Sequence, residues 1–235
     1  MPVIISPATS HDEANRSSDV ALLPIGSFEQ HGGHLPLATD TIIASLIARR
    51  LSADYDLFLL PPIPYGCSHE HTGFSGTTSI SSRTLYSLIA DIVASLAHSG
   101  VRSLAIINGH GGNYVLSNVV QEFNIDGPRT VLFPRSEVWH TARTYADLVT
   151  SNHDDMHGGE GETSILLAEA PELVRPSYQS ADFVVTDRPH LLTLGVRGYS
   201  ESGIIGRPSL ATAEKGRLLL DSFSDQFKNY LAQLR

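Results

Sequence analysis

The stretch VRSLAIINGHGGNYVLSNVVQEF, Val101–Phe123, sets the fold class. It begins as a nearly continuous apolar run, passes through a glycine-rich loop carrying His110, and ends in a segment with helical spacing of apolar residues. A strand apolar on both faces that runs through a short loop into an amphipathic helix is half of a βαβ unit, whose sheet is parallel and covered on two sides. The same alternation extends outward. Upstream, ALLPIGS (21–27) reads as a short buried strand. TDTIIASLIARRL then reads as a helix with Ile42, Ile43, Leu46, Ile47 and Leu51 on one side and Thr39 or Asp40 as its cap. DLFLLPPIPYG is a second strand ending in prolines, and a helix from Ser82 carries Leu85, Leu88, Ile89, Ile92, Val93 and Leu96, with Gly100 as its stop.

Downstream, RTVLFP reads as a strand, and ETSILLAEA starts a helix that Pro171 terminates. Residues 175–210, rich in Pro, Gly and Ser, read as a long ordered excursion over the surface. A last helix near 210–234 offers Leu219, Phe223, Phe227 and Leu231 as a buried stripe. The expected fold is α/β, a three-layer α/β/α sandwich with a mainly parallel central sheet, in one domain over 1–235 and without repeats or linkers.

Composition narrows the function. With 41% hydrophobic and 17% charged residues, the 235-residue chain is an ordinary globular one. A net charge of -9, with only 16 Lys and Arg scattered along the chain, argues against nucleic-acid binding. Cys67 is the only cysteine, so neither an intrachain disulfide nor a cysteine zinc site can form, and a reducing compartment is implied. No apolar run approaches the roughly 20 residues that cross a bilayer, and the expected location is the cytoplasm.

Three polar junctions follow strand-like or apolar segments. The first holds Glu29, His31 and Asp40, the second His110, the third His157, Glu160 and Glu162. Imidazoles and carboxylates suit divalent metals, and a carboxylate can bridge two ions that share and activate a water. Taken singly, each junction has a plainer reading: Glu29 as a helix-dipole group, His110 as a turn residue, Glu160 and Glu162 as charges favouring a helix N-terminus. Three such clusters at strand ends are harder to explain that way. His69 and His71 resemble a metal pair but read better as substrate contacts. His11, His98, His140, His153 and His190 read as surface residues, Cys67 as a small buried residue, and Trp139 as core or as a wall near the site. GHGGN lacks the Lys-Ser/Thr ending of a phosphate loop, and no G-x-S-x-G elbow supports a serine hydrolase.

GSFEQHGGHLPLATD, FSGTTS, NGHGGN, HGGEGETS and SGIIGRPSLATAEKG resemble, in order and spacing, the motifs of the creatininase family of metal-dependent amidohydrolases. The resemblance runs from about residue 20 to the final helix. It implies a dinuclear site in which Glu29, Asp40 and His110 bind one ion while His31, the bridging Asp40 and Glu160 bind the other. It further implies that His157 transfers a proton to the leaving nitrogen, that Glu162 stands behind the ligands, and that the ions are zinc, manganese or iron. Homo-oligomers, commonly hexamers, are also implied. Gly33 and Ser75 stand where proline is common. Gly112 stands where creatinine-hydrolysing members carry a carboxylate ligand, and His153 lies about where they carry a lid tryptophan, departures that point away from creatinine. The SHEHTGFSGTTS and HGGEGETS tracts look more like the branch that includes the mycofactocin-maturing peptidase and a formamide hydrolase.

The expected activity is hydrolysis of a linear or cyclic C–N amide in a small molecule or short peptide. The competing readings are a peptidase trimming a modified peptide, a non-catalytic metal or ligand-binding protein, and an oligomerisation module.

Overall fold

The buried strands form the centre of the molecule. The computed structural model describes residues 5–127 and 129–235. Strands β1 (Val20–Ile25), β2 (Phe58–Leu59), β3 (Ser103–Asn108) and β4 (Thr130–Phe133) form one parallel sheet in the order β2-β1-β3-β4. Among the described residues eight α-helices accompany it: α1 (Ser10–Arg16), α2 (Thr39–Tyr55), α3 (Ser82–His98), α4 (Val115–Phe123), α5 (Ser136–Tyr145), α6 (Glu160–Glu169), α7 (Leu191–Leu194) and α8 (Ala213–Leu231).

Every residue of β1 is buried, because alternate side chains enter two different cores. Val20 and Leu22 pack with Ile43 and Ile47 of α2 and with Phe223 and Phe227 of α8. Ala21, Leu23 and Ile25 pack with Leu85 and Ile89 of α3 and Leu116 of α4. The expected three-layer α/β/α arrangement is therefore present. None of the described helices is long and apolar enough to cross a membrane.

Local chemistry sets the helix ends. Ser81 caps α3 by accepting from the Thr84 N–H at 3.2 Å, and Thr212 caps α8 through the Lys215 N–H at 3.2 Å. Gly159, at the start of α6, has no side chain to cap with, and Asp155 does the work from outside. Its two oxygens accept from the N–H groups of Glu160 (2.6 Å) and Gly161 (2.9 Å). Arg143 of α5 in turn donates to Asp155 at 2.6 Å.

Several boundaries differ from the sequence reading. Strand β2 is two residues long, because the prolines at 61 and 62 follow at once; only Ile63 then bridges back to Ile25. The residue before α2 is Ala38, without a side-chain cap, and Thr39 and Asp40 lie inside the first turn. Helices α1 and α5, and the single turn of α7 within the surface excursion, were not expected. The sequence of α5, SEVWHTARTY, buries only Val138, Ala142 and Arg143, too few apolar positions to show a helical period.

Helices α6 and α8 approach closely at Gly216, where an added Cβ would lie 2.0 Å from the Ser164 carbonyl oxygen. Gly216→Ala is therefore expected to destabilise the fold by about 1–3 kcal/mol, read as a lower urea midpoint. Gly33→Ala, whose new Cβ meets nothing within 4 Å, should stay within about 0.5 kcal/mol of the parent.

Candidate metal centre

The strand order places a crevice at one end of the sheet. After β1 the chain turns to one side to form β2, then returns to the other side of β1 for β3. The loops leaving β1 and β3 therefore diverge from paired residues Ile25 and Asn108, and ligand sites of open parallel sheets form at such a switch point. The first loop carries Glu29 and His31 and leads to Asp40 in the first turn of α2. The second carries His110. Close approach makes this meeting possible: a Cβ on Gly109 would sit 2.2 Å from the Asp40 carbonyl oxygen. His157 arrives in the loop before α6, Glu162 in the first turn of α6, and His71 in a 3-10 turn over His69–His71.

The hydrogen bonds assign the imidazole protons. His31 Nδ1 donates to the Glu29 carbonyl at 3.1 Å, His110 Nε2 to the Cys67 carbonyl at 3.2 Å, and His157 Nε2 to the Gln30 carbonyl at 2.5 Å. A carbonyl oxygen can only accept, so in the neutral form each of these rings turns a lone pair inward. Those lone pairs face carboxylates. His31 Nε2 is 3.0 Å from Asp40 Oδ1 and 3.9 Å from Glu162 Oε1. His110 Nδ1 is 3.1 Å from Asp40 Oδ2 and 3.2 Å from Glu29 Oε1, and His157 Nδ1 is 3.7 Å from Glu29 Oε1.

Glu29 is fully buried, and neither of its carboxylate oxygens has a hydrogen-bond partner. Buried lone pairs converging on unpartnered carboxylates are unstable without a positive charge between them. Three donor sets, Glu29/Asp40/His110, His31/Asp40/Glu162 and Glu29/His31/His157, each bring their ligating atoms within 4.8 Å of one another. Imidazoles pinned through their outer nitrogen to backbone carbonyls are the usual support of metal ligands, so the residues fit divalent cations.

With protons as the only cations, the cluster strains its titrating groups. Burial depresses His31, but the Asp40 carboxylate outweighs it and raises the pKa to about 9. Burial would raise Asp40, yet His31 and His110 hold it well below the usual carboxylate range. Burial pushes Glu162 up to about 7 and His71 down to about 4. His157 is driven well below its ordinary value by burial and by His31 and His71, whose rings lie 4.1 and 4.2 Å from its own.

Glu160 is not brought to this cluster. Its carboxylate accepts from the Val149 and Thr150 N–H groups, the Thr150 hydroxyl at 2.6 Å and Lys215 Nζ at 2.5 Å. The place expected for it, beside His31 and Asp40, is taken by Glu162, whose Oε2 accepts from the Gly158 N–H at 2.6 Å. Two residues along a helix is roughly 200° of rotation, so Glu160 and Glu162 must point to opposite sides.

His71 is buried in the cluster, while His69 stays at the surface. Glu70 also reaches in, with Oε1 3.6 Å from His110 Nε2. Its carboxylate occupies the space above Gly112, where an added Cβ would lie 1.9 Å from Glu70 Oε1. The sequence offered only SHEH as a signal for this residue. The five histidines read as surface residues are exposed, and Cys67 is buried. Trp139 fills both proposed roles, packing edge-on against Phe223 at 4.7 Å and lining a cleft.

The cluster walls a chamber of about 120 Å³ bounded by Asp40, Glu70, His71, His110, His157 and Glu162. Two larger cavities share lining residues with it. One, of about 440 Å³, passes Tyr114, Trp139 and Arg135. The other, of about 450 Å³, passes Glu70, Tyr114, Leu192 and Leu194.

Comparison with known proteins agrees with this geometry. The family model Creatininase, described as creatinine amidohydrolase, matches residues 7–231. The mycofactocin precursor peptide peptidase of Mycobacterium ulcerans is 36% identical, covering 90% of this chain and 84% of its own. The creatinine amidohydrolase of Pseudomonas putida is 27% identical over 86% and 84% of the two chains. A solved structure described as Creatininase Mn aligns with a TM-score of 0.80 at 22% identity, covering 97% of this chain and 99% of its own, and so shares the fold. With its motifs, its sheet and its convergent donor sets all in agreement, the chain belongs to the creatininase family of amidohydrolases.

Proposed function

We propose that this protein hydrolyses an amide bond of a linear, peptide-like substrate laid across the chamber. In this reading Glu29, Asp40 and His110 would hold one cation, and His31, Asp40 and Glu162 would hold a second, Asp40 belonging to both sets. Divalent cations there lower the pKa of a water and polarise the carbonyl under attack. The donors suit zinc first, and manganese or iron as well.

The protein's own groups carry the proton. His157 Nε2 is committed to the Gln30 carbonyl, so Nδ1 is its free acceptor. Nδ1 takes the proton of the attacking water and passes it to the departing nitrogen, which leaves poorly without it. The Gly158 N–H holds Glu162 Oε2, which fixes the carboxylate facing His31.

One observation carries the choice of substrate: the reacting chamber shares its walls with two larger cavities, through His110 and Glu162 with one and through Glu70 and Gly112 with the other, which leaves room for a chain longer than the cleaved bond. The similarity to a peptide peptidase supports the same reading. A small cyclic amide would need only the chamber. Zinc-loaded protein incubated with short peptides, N-formyl amines and lactams including creatinine is expected to release peptide fragments by mass spectrometry and to leave creatinine intact. Opening of lactams with every peptide untouched would reject the linear substrate.

Metal content tests the ligands. Purified protein should carry about two equivalents of divalent metal per chain, falling toward one in Glu29→Gln and Glu162→Gln by elemental analysis. Glu160→Gln should keep its metal and instead lose about 2 kcal/mol of stability, the worth of hydrogen bonds to a charged group. Chelation should lower the melting temperature of the parent protein, since cations that bind only the folded state stabilise it.

A further inference from the structure

His71 is the imidazole that breaks the pattern of the cluster. His31, His110 and His157 each donate outward to a backbone carbonyl and turn a lone pair inward. His71 does the reverse, and Gln30 is the reason. The Gln30 amide is held by two backbone groups of opposite kind: Oε1 accepts from the Gly32 N–H at 2.9 Å, and Nε2 donates to the Gly203 carbonyl at 3.0 Å. Exchanging the oxygen and nitrogen would break both bonds, so the orientation of the amide is fixed. Its second N–H then faces His71 Nδ1 at 2.9 Å. Two donors cannot face each other at that distance, so Nδ1 carries no proton and the ring proton sits on Nε2. That atom looks inward, 3.4 Å from Glu29 Oε1, and His71 lines the chamber.

Gln30 also supplies, through its main-chain carbonyl, the acceptor that gives His157 the opposite inward polarity. The two rings lie with centroids 4.2 Å apart, tilted by 43°, one presenting a proton and the other a lone pair to the same enclosed space. No other polar atom of Gln30 is idle, since its N–H donates to Thr77 Oγ1 at 3.1 Å. A buried residue with all four polar groups committed has little freedom to let either ring turn over.

We propose that Gln30 is a positioning residue that fixes His71 as a neutral hydrogen-bond donor to the chamber, and that His71 donates to the oxygen gaining charge when the amide is attacked. The donor role rests on the amide-hydrolysis reading; the proton assignment does not. Neutral imidazole is a suitable donor for this purpose, because it polarises an oxygen without adding a charge that would repel neighbouring cations.

The test separates the two parts. In long-range ¹H–¹⁵N spectra of zinc-loaded protein, His71 should show a protonated Nε2 and an unprotonated Nδ1. Gln30→Glu places an acceptor against Nδ1 and should move a proton there, whereas Gln30→Met should leave the ring without a fixed tautomer. His71→Ala and both Gln30 variants should retain the parent's metal content. On a peptide cleaved by the parent, His71→Ala should lower kcat about 100-fold or more, the usual effect of losing one oxyanion donor, with little change in KM, and His71→Asn should recover part of it. A proton on Nδ1 in the parent, a spectrum unmoved by both Gln30 substitutions, or loss of a metal equivalent in His71→Ala would each overturn the assignment. Failure of the parent to cleave any peptide, with the spectra as expected, would remove the donor role and leave the positioning role standing.

Discussion

A deficit of positive charge at the end of the sheet governs this molecule. Glu29 is buried with both oxygens unpartnered, Asp40 lies between two imidazoles, and three rings turn lone pairs toward them. The surrounding architecture exists to hold that deficit in place: backbone carbonyls tether the rings, the glycine at 109 lets α2 come close, and the sheet order opens a crevice where the tethered groups meet.

Helix α6 shows how rigidity is supplied from outside the cluster. Asp155 caps its first turn, Arg143 holds Asp155, and Glu160 links that turn to Thr150 and to Lys215 of α8. These contacts set the rotation of the helix, and the rotation decides which glutamate faces His31. The carboxylate nearest the motif's glycines is thus part of the frame, and the one behind it reaches the chamber.

Much of this was legible in the chain. The alternation of apolar strands and helices determined the layered sheet, because burial on both faces leaves an unbroken apolar run at β1 and β3. Glu29, His31, Asp40 and His110 could be picked out because they lie on loops leaving two neighbouring strand ends or, for Asp40, in the first turn of the helix that one of those loops enters. That Glu162 and not Glu160 lies beside His31 could not be read, since it depends on the phase of α6, which partners far away in sequence determine. His71 was singled out with His69, but which of the two enters the cluster, and that Glu70 follows it in, could not be read: they sit on an irregular turn whose place over the crevice follows from packing against Gly112 and Gly195. Helix α5 lacked a visible period because one of its buried positions is an arginine serving Asp155.

The carboxylate of Glu70 fills the volume that any side chain at Gly112 would need. The fixed parts of the site crowd the same position: a Cβ there would lie 2.4 Å from His110 Nε2 and 2.8 Å from the Cys67 carbonyl oxygen. In this chain the second loop therefore stays bare at 112, and the acidic group at that corner arrives from the 3-10 turn instead.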